Sequence, residues 1–354
     1  MDVGLIGLPR SGKTTVFNLL TGAKVATNPY GAEKLSRNAL MPIPDPRLAR
    51  LAAMYQPKKV TPAELRVVDV PGLSRRETGG PNRFLNDVRL VDALVHVVRA
   101  FESPVDGAAH PLADVEEMEL ELALADMDLL EKRQERVRAG KKIAKEQQTE
   151  LALVARLLEA MNDGKRLTQV DLDDEETRLL RGYQFLTLKP MIWVLNLDDS
   201  RFQAGDYPDA ASIAEAARDK EIPLVPMAAQ MEEEIEALSA EDRTAFLQDL
   251  GITERGTARV AQAVYTKLVL ISFLTAGADE VRAWTIQRGT VAKAAAGKIH
   301  SDIERGFIRA EVVAFLDLDR AGEFSKAREK GWVRLEGRDY AMRDGDVVNF
   351  RFNV

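Results

Sequence analysis

Cysteine is absent from this chain, which excludes disulfides, thiolate-bound metal centres and thiol redox switches. That composition suits a reducing compartment, and a cytoplasmic location is expected. Long apolar runs are also missing, since none approaches the roughly 18 residues that a membrane-spanning helix needs. The N-terminus opens directly on an apolar run without a basic-then-apolar leader, so neither targeting nor a membrane partner is expected. An excess of positive charge is lacking as well. The net charge of −7 argues against coating nucleic acid over the whole surface, while leaving room for a local basic patch. What is present is 354 residues, 45% of them hydrophobic, enough for two or three cores, with 15 prolines to mark boundaries. A monomer with more than one domain is expected.

Residues 7–14 read Gly7-Leu8-Pro9-Arg10-Ser11-Gly12-Lys13-Thr14, between the apolar run Val3–Ile6 and a helix-like stretch from Thr15 to Leu20. This is the strand, loop and helix setting of a phosphate-binding P-loop. Glycines let the backbone wind tightly, so that N–H groups point inward at phosphate oxygens. Lys13 reaches the β/γ oxygens, the Thr14 hydroxyl can ligate Mg²⁺, and the helix beginning near Thr15 adds its positive end. The alternative is that Gly7 and Gly12 merely shape a turn.

P-loops serve kinases, ATPases and GTPases alike, so the accompanying elements and their order decide between them. Glu64–Val70 alternates into an apolar strand and ends in Asp69-Val70-Pro71-Gly72. That order places a carboxylate where it can hold the Mg²⁺ hydration shell, and Gly72 where its N–H can meet a γ-phosphate. Further on, Met191–Leu195 forms a buried-strand run ending in Asn196-Leu197-Asp198-Asp199, the position of the GTPase base-reading motif. Asp199 could accept from guanine N1–H and N2–H. Each short motif alone is weak; the order P-loop, DxxG, NxxD is specific.

Over nearly its whole length the chain resembles the Obg-related, YchF-type P-loop NTPases. The stretches that carry the resemblance beyond the motifs above are Phe273-Leu274-Thr275-Ala276-Gly277, Val281-Arg282-Ala283-Trp284-Thr285-Ile286, Ile299-His300-Ser301-Asp302, Arg305 to Glu311, Asp344-Gly345-Asp346 and the closing Phe350 to Val354, which are similar to that family's TGS domain. The fold that the resemblance implies is α/β: a P-loop G domain, mostly parallel sheet flanked by helices, with an inserted helical coiled coil and a C-terminal α+β β-grasp (TGS-like) domain. The domains expected are 1–112 plus 190–270, 113–189 and 271–354. Read without the family, 271–354 alternates short apolar strands with turn signals and two short helical stretches.

Residues 112–189 contain no proline and are rich in Glu, Lys, Leu and Ala. Met118, Leu122, Ala125 and Leu129 step by 4, 3 and 4, and Leu151, Val154, Leu158 and Met161 by 3, 4 and 3, with Gly140 between the two sets. Two antiparallel helices are expected, serving as plain packing or as a docking arm.

The departures from the family fall on the parts that sense the γ-phosphate. Glu33 stands where the family has its Mg²⁺-ligating switch I threonine, with Ser36 as a nearby hydroxyl. Switch II is shortened to Leu73 through Asn82, and Leu73 cannot orient water, so slow turnover is expected. His110 lies in the loop where the family carries a histidine linked to hydrolysis, although its spacing from Phe101 differs; the other reading is an exposed loop histidine. His96, inside an apolar strand, reads as core. Arg10 replaces the asparagine that related GTPases use to hold K⁺ beside the phosphates. Its guanidinium could supply that charge in cis, as an arginine finger does, or it could be a plain surface arginine.

Base preference stays open between ATP and GTP. Asp199 points to guanine, whereas Leu197 lacks the lysine that packs along the base, and Ala228-Ala229-Gln230 alters the third base loop. Three functions remain. The first is a slow, Mg²⁺-dependent NTPase switch, for which the resemblance implies the ribosome or RNA as partner; the second is a nucleotide-binding interaction protein that does not hydrolyse. A small-molecule kinase would need a lid and an acceptor pocket that the sequence does not offer.

Overall fold

The computed structural model describes residues 1–25, 37–70, 85–140 and 143–353. Its strands are β1 (Asp2–Ile6), β2 (Arg37–Ile43), β3 (Lys59–Thr61), β4 (Ala63–Asp69), β5 (Ala93–Arg99), β6 (Met191–Asn196) and β7 (Leu224–Met227). They are followed by β8 (Leu270–Ala276), β9 (Glu280–Gln287), β10 (Phe307–Ala314), β11 (Arg334–Glu336) and β12 (Asp346–Phe352). Two compact units arise from them: residues 1–39 with 66–256, and 40–65 with 257–354.

In the first unit, β4, β1, β5, β6 and β7 form parallel ladders, with β2 next in order beyond β4. Parallel strands are covered on both faces, which is why β5 and β6 read as continuous apolar runs and are buried along their whole length. The expected α/β P-loop architecture is therefore present. The switch positions Glu33, Ser36, Gly72 and Leu73 through Asn82 lie outside the described residues.

The proline-free segment is helical over Pro111–Arg138 and Lys145–Asn162. The expected seam divides differently, however. Met118, Leu122 and Ala125 pack into the sheet core with Val98, Trp193, Leu195 and Leu197. Only beyond them, from Leu129 and Leu130, does the first helix meet the second, through Leu153, Val154 and Leu157. One continuous 3.6-residue stripe serves two cores in succession, because a 28-residue helix outruns the sheet that it covers. At the changeover sits Asp126, fully buried. Its carboxylate accepts from Arg89 Nη1 at 2.6 Å, the Leu186 and Thr187 N–H groups at 3.1 and 2.9 Å, and the Thr187 hydroxyl at 2.9 Å. Four donors offset the desolvation of this charge, and nothing in the helical pattern announces it.

In the second unit the sheet order is β11-β10-β12-β8-β9-β3. Antiparallel β8/β9 and β10/β12 pairs flank a parallel β12/β8 contact, with a core of Phe273, Phe307, Phe350 and Ala-rich helix 292–299 behind them. Four short helices, not two, lie in this region: 292–299, 301–305, 315–321 and 324–329. The sequence-based boundaries placed residues 40–65 with the P-loop, but the contacts group them here. β3 pairs in parallel with β9, and Arg47 on helix Pro46–Tyr55 bridges Asp45 and Asp344 at 2.7 Å each.

Candidate nucleotide site

The loop between β1 and helix Lys13–Thr21 depends on two positions without side chains. A Cβ on Gly7 would lie 2.6 Å from the Val97 carbonyl oxygen of β5. Gly12 caps the helix with φ 85°, a left-handed conformation that glycine adopts freely, and a Cβ there would collide with Asn196 Nδ2. Gly12→Ala is therefore expected to weaken nucleotide binding at least about tenfold while the protein still folds, because the new methyl group drives Asn196 from its place. Equilibrium titration with a fluorescent nucleotide measures this, and an unchanged affinity would refute the close approach.

Asn196, at the end of β6, joins three segments. Its Nδ2 donates to the Ser11 carbonyl at 3.1 Å, its Oδ1 accepts from the Ala229 N–H at 3.1 Å, and its own carbonyl accepts from the Ala100 N–H at 2.8 Å. Ala228 and Ala229 are wholly buried, as is nearly all of Leu197, which enters the sheet core instead of lying along a base. Asp199 opens helix Asp199–Ala204, capped by Asp198. Burial raises the Asp199 carboxyl above its usual range, and the neighbouring Glu234 and Asp198 charges add to the effect. Glu234, on helix Ala229–Glu236, is a residue that the sequence analysis missed.

Lys13 and Asp69 meet inside the unit. Lys13 Nζ donates to Asp69 Oδ1 at 2.6 Å, with side-chain exposures of 7% and 1%. Thr14 and Thr15 are half-buried on the first turn of the helix, and the Ser11 hydroxyl is buried without a partner among the described residues. Leu8 is half-buried; Pro9 and Arg10 are exposed.

Arg10 does not stand free. Its Nε donates to Asp106 Oδ2 at 2.7 Å and its Nη2 to Asp106 Oδ1, so the guanidinium is held fork to fork. The ion pair raises the Arg10 pKa and lowers that of Asp106. Asp106 was not singled out from the sequence, although Asp106-Gly107 is a turn signal. His110 is exposed immediately before helix Pro111–Arg138 and makes no side-chain capping bond. His96 is fully buried in the centre of the sheet, opposite Ile6 and Trp193, as a core residue should be.

The donors suited to Mg²⁺ are the Thr14 hydroxyl and the Asp69 carboxylate, both hard oxygen ligands. Among the described residues no cluster of three or more His, Cys, Asp or Glu forms a closed metal cage. Two protein oxygens fit an ion whose remaining ligands are water and substrate phosphate. Among the described residues no helix is long and apolar enough to cross a membrane.

Comparison with known proteins places this geometry in context. A family model described as a 50S ribosome-binding GTPase matches residues 2–132, and one for the C-terminal domain of YchF GTPases, described as a protein of unknown function, matches 270–353. The chain is 41% identical over 363 residues to the ribosome-binding ATPase YchF of Haemophilus influenzae, covering 99% of both. It is 39% identical over 364 residues to that of Bacillus subtilis, covering 100% of both. The solved structure of the Schizosaccharomyces pombe YchF GTPase superposes with a TM-score of 0.84 at 28% identity, covering 99% of this chain and 97% of that one.

Proposed function

This chain belongs to the YchF family, and from that premise we propose that it binds ATP or GTP with Mg²⁺, hydrolyses it slowly and uses the bound state to engage the ribosome in the cytoplasm. The observation that carries the reading is the double hydrogen bond of Asn196. It ties the P-loop at Ser11 to the base-side loop at Ala229, so phosphate-binding and base-reading segments share one anchor. Lys13 would clamp the β/γ oxygens, and the backbone N–H groups of 7–14 would cradle them. Thr14 and Asp69 would hold Mg²⁺, which, when bound, neutralises charge developing between the β- and γ-phosphates.

Base choice falls to Asp199 with Glu234 close enough to raise its pKa. Each of these acidic side chains can accept from a purine amine, which supports dual ATP and GTP use. Arg10 lies in the P-loop where a guanidinium can take over the role of a potassium ion, so hydrolysis without K⁺ is expected. The ribosome as partner follows the names of the relatives.

Competition of unlabelled ATP and GTP against a fluorescent analogue, with phosphate release followed in Na⁺ and in K⁺, tests this reading. The expected result is displacement by both nucleotides and slow turnover in either salt. Binding without turnover would leave a nucleotide-gated interaction protein, and no binding would end the proposal.

A further inference from the structure

The Arg10–Asp106 pair has features of a built contact. Arg10 has φ 63°, a left-handed backbone uncommon for a residue with a side chain, so the loop sets where the side chain leaves the backbone and the fork to Asp106 holds its guanidinium. The acceptor is presented just as firmly. Ser103 and Gly107 exchange two backbone hydrogen bonds at 3.1 and 2.7 Å, and the Ser103 hydroxyl donates to Asp106 Oδ2 at 3.1 Å. Beneath them the largely buried Arg99 at the end of β5 donates to the carbonyls of Phe101 and Gly107 at 3.0 and 2.9 Å and of Ala108 at 2.9 Å. Three donations from one guanidinium fasten the loop that carries the carboxylate.

We propose that Asp106 is a positioning residue for Arg10: its carboxylate competes with the γ-phosphate of bound nucleotide for the P-loop guanidinium. The inference rests on the nucleotide-binding reading above. Arg10 is 44% exposed and Asp106 22%, and ion pairs open to solvent are weak enough to be exchanged for a stronger acceptor. A γ-phosphate is such an acceptor, with more charge than a carboxylate and several oxygens for the same fork. A nucleoside diphosphate lacks that group. Asp106 therefore lowers affinity for triphosphate more than for diphosphate, and acts only through Arg10.

The test is the ratio of ATP to ADP affinity, and of GTP to GDP affinity, measured with methylanthraniloyl nucleotides on the full chain. The proteins are wild type, Asp106→Asn, Asp106→Glu, Arg10→Ala and the Arg10→Ala/Asp106→Asn double variant. Asp106→Asn is expected to raise the triphosphate-to-diphosphate ratio by about fivefold, the strength of a surface ion pair. Asp106→Glu keeps the carboxylate and should stay near wild type. In the Arg10→Ala background, Asp106→Asn should change nothing. An unchanged ratio in Asp106→Asn, or an equal rise with and without Arg10, overturns the assignment even where wild type binds nucleotide well. Failure of wild type to bind either nucleotide more tightly than Lys13→Ala would instead overturn the nucleotide-binding reading, and this inference with it.

Discussion

Lys13→Ala is expected to do two separable things: reduce phosphate release to background, a loss of at least about a hundredfold, and lower the stability of nucleotide-stripped protein by about 3 kcal/mol. The first effect is chemical, because in the proposed mode of binding Lys13 supplies the positive charge on the β/γ oxygens. The second comes from the 2.6 Å ion pair with Asp69, whose two members are almost wholly buried. Removing one partner of a buried pair costs more than removing both, since the remaining charge keeps its desolvation penalty. Adding Asp69→Asn to Lys13→Ala should therefore restore most of the stability and none of the turnover. Urea unfolding and phosphate release on the three proteins measure the two effects independently. Equal unfolding midpoints for the single and double variants would show that the pair does not hold this part of the fold.

The second large effect is on acid stability. Burial depresses the His96 pKa to about 3, and neither ring nitrogen has a hydrogen-bond partner among the described residues. An unfolded histidine titrates near 6.5, so below that pH the unfolded chain takes up a proton that the folded chain refuses. Stability is thus intact above about pH 6.5 and drains away as pH falls toward 3, by up to ~5 kcal/mol at about 1.4 kcal/mol per unit. His96→Leu removes the titrating group and two unpaired polar atoms at similar volume, so it should be close to neutral at pH 8. At pH 4.5 the variant should be more stable than wild type by about 3 kcal/mol. Urea midpoints between pH 8 and 4.5 test this, and parallel curves for the two proteins would refute it.

Much of the placement of the candidate site was legible because it is local. Gly7 through Thr14 join β1 to the helix Lys13–Thr21 as the glycine spacing predicts, and Asp69 and Asn196 end strands whose apolar runs are unmistakable. Less local features were misread. Met118, Leu122 and Ala125 share the periodicity of a coiled-coil seam, but periodicity tells only which face is apolar, and that face belongs to the sheet. Leu197, which stands where a lysine would pack along the base, is held in the sheet core, a placement that the short motif does not show. Asp106 and Glu234 carry no local signature, since an acidic residue in a loop or on a helix is ordinarily solvated surface.

By itself the sequence determined the strands, the P-loop and its lysine, the proline-free helices and the family to which they belong. These follow from steric and hydrophobic patterns that act over a few residues. Tertiary structure alone decided that residues 59–61 join β9 as an edge strand, that Asp126 gathers four donors at a helix changeover and that Asp106 holds Arg10. Each of these contacts joins groups well apart along the chain, 96 residues in the case of Arg10 and Asp106. Such contacts form only once the sheets are assembled, when packing fixes which distant segments and polar groups come side by side, whether sealed from water like Asp126 or open to it like Arg10 and Asp106.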